Sequence, residues 1–242
     1  MRWSHPVHGQ VSPARFVPVA EEFGLISELG RMVLSTATAQ IQKWSSTFRI
    51  PLTAHVNVSG VDLANAGFAA MVEECLNTSG LPSEQLVLEV TESAVERQLE
   101  VARERFDSLH DLGVRVALDD FGTGRSALSY LQSLAVDILK VDRSYLDSVA
   151  QASPARGDDL LRGVVALGQA LGIEVYGEGI EDEAQRHRLR RSGCDIGQGY
   201  LFARPLPAED AAAMLRTQAA VADTLGARLI AAEAAQSGAQ TG

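Results

Sequence analysis

The sequence predicts an α/β protein in which parallel strands are joined by crossover helices, and three observations carry that prediction. Short β-rich runs alternate with longer segments of helical period along most of the 242 residues, the pattern of repeated strand–helix units. Nearly every such run ends in a polar or acidic residue. The composition, 46% hydrophobic and 21% charged, is that of a folded chain able to bury a sizeable core.

Taken in order, the chain opens on MRWSHP, with neither a charged arm nor a basic start followed by an apolar signal core. The opening therefore reads as the interior of a domain. The candidate strands are TAHVNVS, QLVLEVTE, VRVALDDFG, VDILKVD, GIEVYGEG and the less regular QGYLFA. Between them, Val61 to Leu76 and Leu160 to Leu171 have helical period. So does the segment after Ser93, where Val95, Leu99, Ala102, Phe106, Leu109 and Leu112 step by three and four before Gly113 offers a stop. EAQRHRLRRSG is a more polar helix ended by Gly193, and its arginines suit the negative end of the helix dipole. They read as a solvated face rather than a phosphate patch. After Pro207 come a closing helix, a second helix and an Ala-rich tail, which assigns residues 1–216 to one domain and 217–242 to a C-terminal helix and disordered tail. Six strands fall short of the eight in a closed barrel. An open doubly wound sheet tolerates six, but accounts less well for the acids at the strand ends.

A net charge of −10 argues against a general nucleic-acid or anionic-membrane binder, because such surfaces must be basic to displace counterions. A small phosphorylated ligand held by local cations remains compatible with it. Cys75 and Cys194 stand far apart without a C-x-x-C partner, as expected of free thiols in a reducing cytoplasm. His5, His8, His55, His110 and His187 lack metal-ligand spacing and are read as surface or packing residues. No apolar stretch approaches the ~20 residues that cross a bilayer.

The strand ends carry the chemistry: Asn57, Glu89 with Glu92, Asp119 with Asp120, Lys140 with Asp142, and Glu178 with Glu181. One such acid is ordinarily a turn former or helix N-cap. Five successive units with the same feature point to one rim of a barrel, where sites are built. Oxygen donors of this kind suit Mg2+ or Mn2+. Asp119 and Asp120, as strand neighbours, reach one site only if the chain bends there, and FGTG follows with two glycines. A carboxylate shared between two cations holds them ~3.5–4 Å apart, as two-metal phosphoryl hydrolysis requires. Lys140 ends the apolar run VDILK, where an ammonium needs carboxylates or a reacting water beside it. A snorkelling lysine is the alternative.

The segments RWSHP, VSPARFVPVAEEFGLI, NVS, LEVTES, ALDDFGTGRSALSYL, ILKVDRS, GEGIE and GCDIGQGYLFARP resemble, in order and spacing from Arg2 to about Pro207, the EAL domains that hydrolyse cyclic di-GMP. The resemblance implies a modified TIM (β/α)8 barrel with one strand reversed, here lacking its N-terminal strand segments. It also implies opening of cyclic di-GMP to linear pGpG with two Mg2+ or Mn2+ ions. By that resemblance Asn57, Glu89, Asp119, Asp120 and Glu178 are metal ligands, with Asp119 bridging. Lys140 positions the attacking water, and Glu178 is counted with it as catalytic. Gln198 lies near substrate, Arg2 forks onto a phosphate, and Glu92 steadies the loop DDFGTGRS.

A homodimer with sensory or diguanylate cyclase domains upstream is expected with that resemblance; the free cysteines point to the cytoplasm, and the net charge to no contact with DNA, RNA or membrane. The resemblance sets Met1 between the E-A-L signature and Arg2, so the signature glutamate would precede the chain. Weak or absent turnover is therefore expected of the chain as written. A degenerate domain that binds cyclic di-GMP or a protein partner without hydrolysis is the alternative function.

Overall fold

The computed structural model describes residues 3–122, 130–142 and 154–219. Its centre is a parallel sheet of β3 (Ala54–Asn57), β4 (Leu86–Thr91), β5 (Arg115–Asp119), β6 (Ile138–Val141), β7 (Glu174–Gly177) and β8 (Ile196–Gly197), in strict sequence order. Ahead of it, β1 (Trp3–His5) and β2 (Gly9–Val11) form an antiparallel hairpin. Trp3 sets its ring edge-on to Phe16 of helix α1 (Pro13–Glu22). Each strand pairs only with its neighbours in the chain, the order of a barrel wall rather than of a doubly wound sheet. The result is a partial TIM barrel with β3 and β8 at its edges among the described strands.

Period-two alternation explains why each strand lies where it does. Ala54, Val56, Leu86, Leu88, Val90, Val116, Leu118, Leu139 and Val141 point to one face and join the main core. Against that face pack α2 (Ile26–Phe48), α4 (Phe68–Ser79), α6 (Leu99–Asp111) and α7 (Pro154–Leu171). The other residues of the same strands, Val87, Ala117 and Ile138, form a small second cluster capped by Tyr176. This second face is the inner wall of the partial barrel.

The predicted apolar stripe is buried as expected, with Val95, Ala102, Phe106 and Leu109 in the core. It is carried by two helices, however, α5 (Glu92–Arg97) and α6, broken at Gln98. Gln98 leaves helical geometry, and its side-chain amide donates to Gly60 O at 2.8 Å. The helix expected over Val61 to Leu76 is likewise split into α3 (Gly60–Ala64) and α4. Asn65 Oδ1 accepts the amide of Gly67 and turns the chain between them. Gly113 and Gly193 do end helices, each in the left-handed region that a glycine enters freely. The strand expected at QGYLFA lies earlier, at Ile196–Gly197. Residues 199–202 form a turn in which Leu201 N donates to Ile180 O and Ile180 N to Gln198 O. EAQRHRLRR is helix α8 (Glu183–Arg191), opened by a reciprocal cap between Asp182 and Gln185. A last helix occupies 208–219, and the tail expected beyond it lies outside the described residues.

Both cysteines are free and buried. Among the described residues, no helix is long and apolar enough to cross a membrane.

Candidate active site

Register places the polar strand ends on the inner face. Asn57 and Glu89 are Cα partners across β3 and β4, and Glu89 pairs with Ala117, two residues before Asp119. Ala117 pairs with Ile138, two residues before Lys140, and Lys140 pairs with Tyr176, two before Glu178. Because side chains two apart share a face, Asn57, Glu89, Asp119, Lys140 and Glu178 form a polar layer above the apolar layer of Val87, Ala117 and Ile138.

Lys140 is the hub of that layer. Its Nζ lies 2.7 Å from Glu89 Oε1, 2.5 Å from Glu178 Oε1 and 3.5 Å from Asp119 Oδ1, with the lysine side chain only 3% exposed. Burial works against the ammonium, yet Glu89 and Glu178 outweigh it and raise the lysine pKa well above its usual value. Burial also opposes ionisation of Glu89, but the His55 hydrogen bond and Lys140 hold it below the usual carboxylate range. Glu178 goes the other way. Burial first, then the charges of Asp119 and Glu89, push it up to about 7 despite Lys140. Among the described residues, three carboxyl groups thus face one ammonium.

The Asp119–Asp120 bend forms as the sequence requires, with one difference. Asp120 itself is left-handed, at φ 57°, so the turn begins before the glycines. Its amide donates to Asp119 Oδ1 at 3.0 Å. Burial and the charges of Asp119 and Asp142 raise the Asp120 pKa, which places this carboxylate in the same acidic field. Glu92, the first residue of α5, does not enter the polar layer. It is buried and accepts Gly122 N at 2.9 Å and Tyr130 OH at 3.1 Å. Gln198 follows β8, its backbone bonded to Gly177 O and Ile180 N, and is exposed. Arg2 and residues 123–126 of the loop DDFGTGRS lie outside the described residues.

His55 is the residue the sequence reading missed. Expected to be a surface or packing histidine, it stands on the inner face with Nδ1 2.8 Å from Glu89 Oε1. Its position two residues before Asn57 on one strand is the signal that could have found it.

Among the described residues, no three His, Cys, Asp or Glu side chains already form a cation cage, because Glu89 and Glu178 are drawn onto the Lys140 ammonium. The donor set nonetheless fits a hard divalent cation. All its atoms are oxygens, and Glu178 Oε1 is buried without an aligned hydrogen-bond donor.

Comparison with known proteins gives this site its context. The model of the EAL domain family matches residues 1–205. The chain belongs to the EAL domain family. This EAL domain is 39% identical over 211 residues to MucR of Pseudomonas aeruginosa, a bifunctional diguanylate cyclase/cyclic di-GMP phosphodiesterase, covering 86% of this chain and 30% of MucR. It is also 39% identical over 211 residues to the oxygen sensor protein DosP of Escherichia coli, covering 86% of this chain and 26% of DosP. The chain therefore spans under a third of either relative. The solved MucR phosphodiesterase in complex with cyclic di-GMP superposes with a TM-score of 0.81 at 38% identity, over 87% of this chain and 84% of that one.

Proposed function

We propose that this EAL domain hydrolyses one phosphodiester bond of cyclic di-GMP to give linear pGpG. In this reading Asn57, Glu89, Asp119, Asp120 and Glu178 hold two divalent cations, Mg2+ or Mn2+. The observation that carries it is the convergence of Glu89, Asp119 and Glu178 on Lys140 at one rim of the sheet, in a family with a member solved as a cyclic di-GMP complex.

Bound cations supply Lewis acidity toward the phosphoryl oxygens and offset charge in the displacement. The chain's own residues do the rest. Lys140, charged and held by carboxylates, keeps the acidic layer together, and its remaining N–H serves the attacking water. Gln198, on a backbone tied to β7 and Ile180, offers an exposed side-chain amide to the substrate. Arg2 forks onto a phosphate. Glu92 anchors Gly122 and Tyr130 and so holds the turn that follows Asp119 and Asp120.

The domain unit is residues 1–216, cytoplasmic and homodimeric, and sensory or cyclase domains accompany it in a longer protein. The test is chromatographic. Cyclic di-GMP and Mg2+ are incubated with the 242-residue chain and with its Asp119→Ala form. Formation of pGpG that Asp119→Ala abolishes is the expected result. Unchanged hydrolysis by Asp119→Ala overturns the bridging assignment. Tight binding of cyclic di-GMP without product selects the non-catalytic binding module instead.

A further inference from the structure

We infer that His55 is a positioning residue, one that orients the Glu89 carboxylate for cation binding; the inference rests on the metal reading proposed above. Two groups converge on the same oxygen of Glu89. His55 Nδ1 lies 2.8 Å from Oε1 and Lys140 Nζ 2.7 Å from it. Oε2 has no donor among the described residues. An ionised carboxylate only accepts hydrogen bonds, so Nδ1 of His55 is the donor.

The pairing settles which oxygen does what. With Lys140 alone, the carboxylate could rotate and offer either oxygen to the ammonium. A second donor on Oε1, approaching from the neighbouring strand, removes that freedom and leaves Oε2 as the oxygen with unused lone pairs. Metal ligands are ordinarily oriented by such neighbours, and losing one typically weakens metal binding about 10- to 100-fold.

The histidine is itself braced from below. Its ring packs against that of Tyr176, with centroids 6.0 Å apart. Tyr176 OH donates to Glu174 Oε2 at 3.0 Å, and Arg115 Nη1 lies 3.4 Å from Glu174 Oε1. These groups belong to three different strands, β3, β5 and β7, and all lie on the inner wall under the acidic layer. The chain Arg115, Glu174, Tyr176, His55 thus transmits the rigidity of the sheet to one carboxylate.

The experiment is a calorimetric titration of the 242-residue chain with Mn2+ alone, in the wild type, Glu89→Ala, His55→Leu and His55→Asn. Asparagine places an N–H donor near the position of the histidine Nδ1, whereas leucine fills the space without one. Folding of each variant is checked by circular dichroism, and His55→Ala replaces the leucine variant in the comparison if the latter does not fold. Loss of affinity of about 10- to 100-fold in His55→Leu, with most of it restored in His55→Asn, is expected. Unaltered affinity in His55→Leu, or no recovery in His55→Asn, overturns the positioning role while leaving the metal reading intact. Failure of the wild type to bind Mn2+, or binding that Glu89→Ala does not weaken, overturns the metal reading and this inference with it.

Discussion

Glu92 and Gly122, thirty residues apart, are joined by a 2.9 Å hydrogen bond from the glycine amide to Glu92 Oε2. The other oxygen of the same buried carboxylate accepts Tyr130 OH, whose pKa is raised well above the usual phenol range by burial and by the Glu92 charge. One side chain therefore spans both described ends of the loop after Asp120.

Glu92→Ala leaves the Gly122 amide and the Tyr130 hydroxyl without that acceptor, at about 1–3 kcal/mol for each buried group. Urea denaturation is expected to show this as a lower midpoint. Glu92→Gln, which keeps one acceptor oxygen, is expected to fall between wild type and Ala. Equal midpoints for all three would mean that the loop is anchored elsewhere.

Lys140→Met removes the ammonium beside Glu89 Oε1, where His55 then remains, and strips Glu178 and Asp119 of their shared partner. Leaving buried charges uncompensated costs about 3–5 kcal/mol. The unfolding free energy should drop by that amount in EDTA. Millimolar Mg2+ is expected to recover part of it, because the cation replaces the lost positive charge.

Divalent cations are expected to stabilise the wild type by an amount that grows with the logarithm of their concentration above the dissociation constant. At a hundred times the dissociation constant the gain is about 2.7 kcal/mol, visible as a higher Tm in a thermal scan and reversed by EDTA. Asp119→Asn should abolish the shift. A Tm indifferent to Mg2+ and Mn2+ at every concentration would contradict the assigned ligand set.

Gly199 lies so close to Ile180 that an added Cβ would overlap the carbonyl oxygen and the amide nitrogen of that residue. Gly199→Ala must push apart the backbone that carries Gln198. A loss of about 1–3 kcal/mol is expected in thermal unfolding, with a higher KM for cyclic di-GMP. Gly163, inside α7 with nothing within 4 Å of where a Cβ would stand, runs the other way. Gly163→Ala should stabilise the helix by about 0.5–1 kcal/mol.

Much of this architecture is legible in the sequence because it rests on local periodicity. Alternation in LVLEVT and RVALD fixes which side chains face the helices, and hence that Glu89 and Asp119 face the other way. The polar ends of the strands share the inner face for the same reason. The breaks at Gln98 and Asn65 were not legible along an uninterrupted apolar stripe. The first depends on a carbonyl, Gly60 O, thirty-eight residues away. The displaced last strand has a similar cause, since residues 199–202 turn to meet the backbone of Ile180 rather than to satisfy their own β propensity.

The sequence by itself determined the alternation of strands and helices, the core face of each strand and the supply of oxygen donors at the strand ends, all properties of neighbouring residues. Only the tertiary structure decided which carboxylates share Lys140, that Glu92 accepts both Gly122 N and Tyr130 OH, and that His55 joins Glu89. Those pairings depend on parallel register, which sets side by side residues that the chain separates by whole helices.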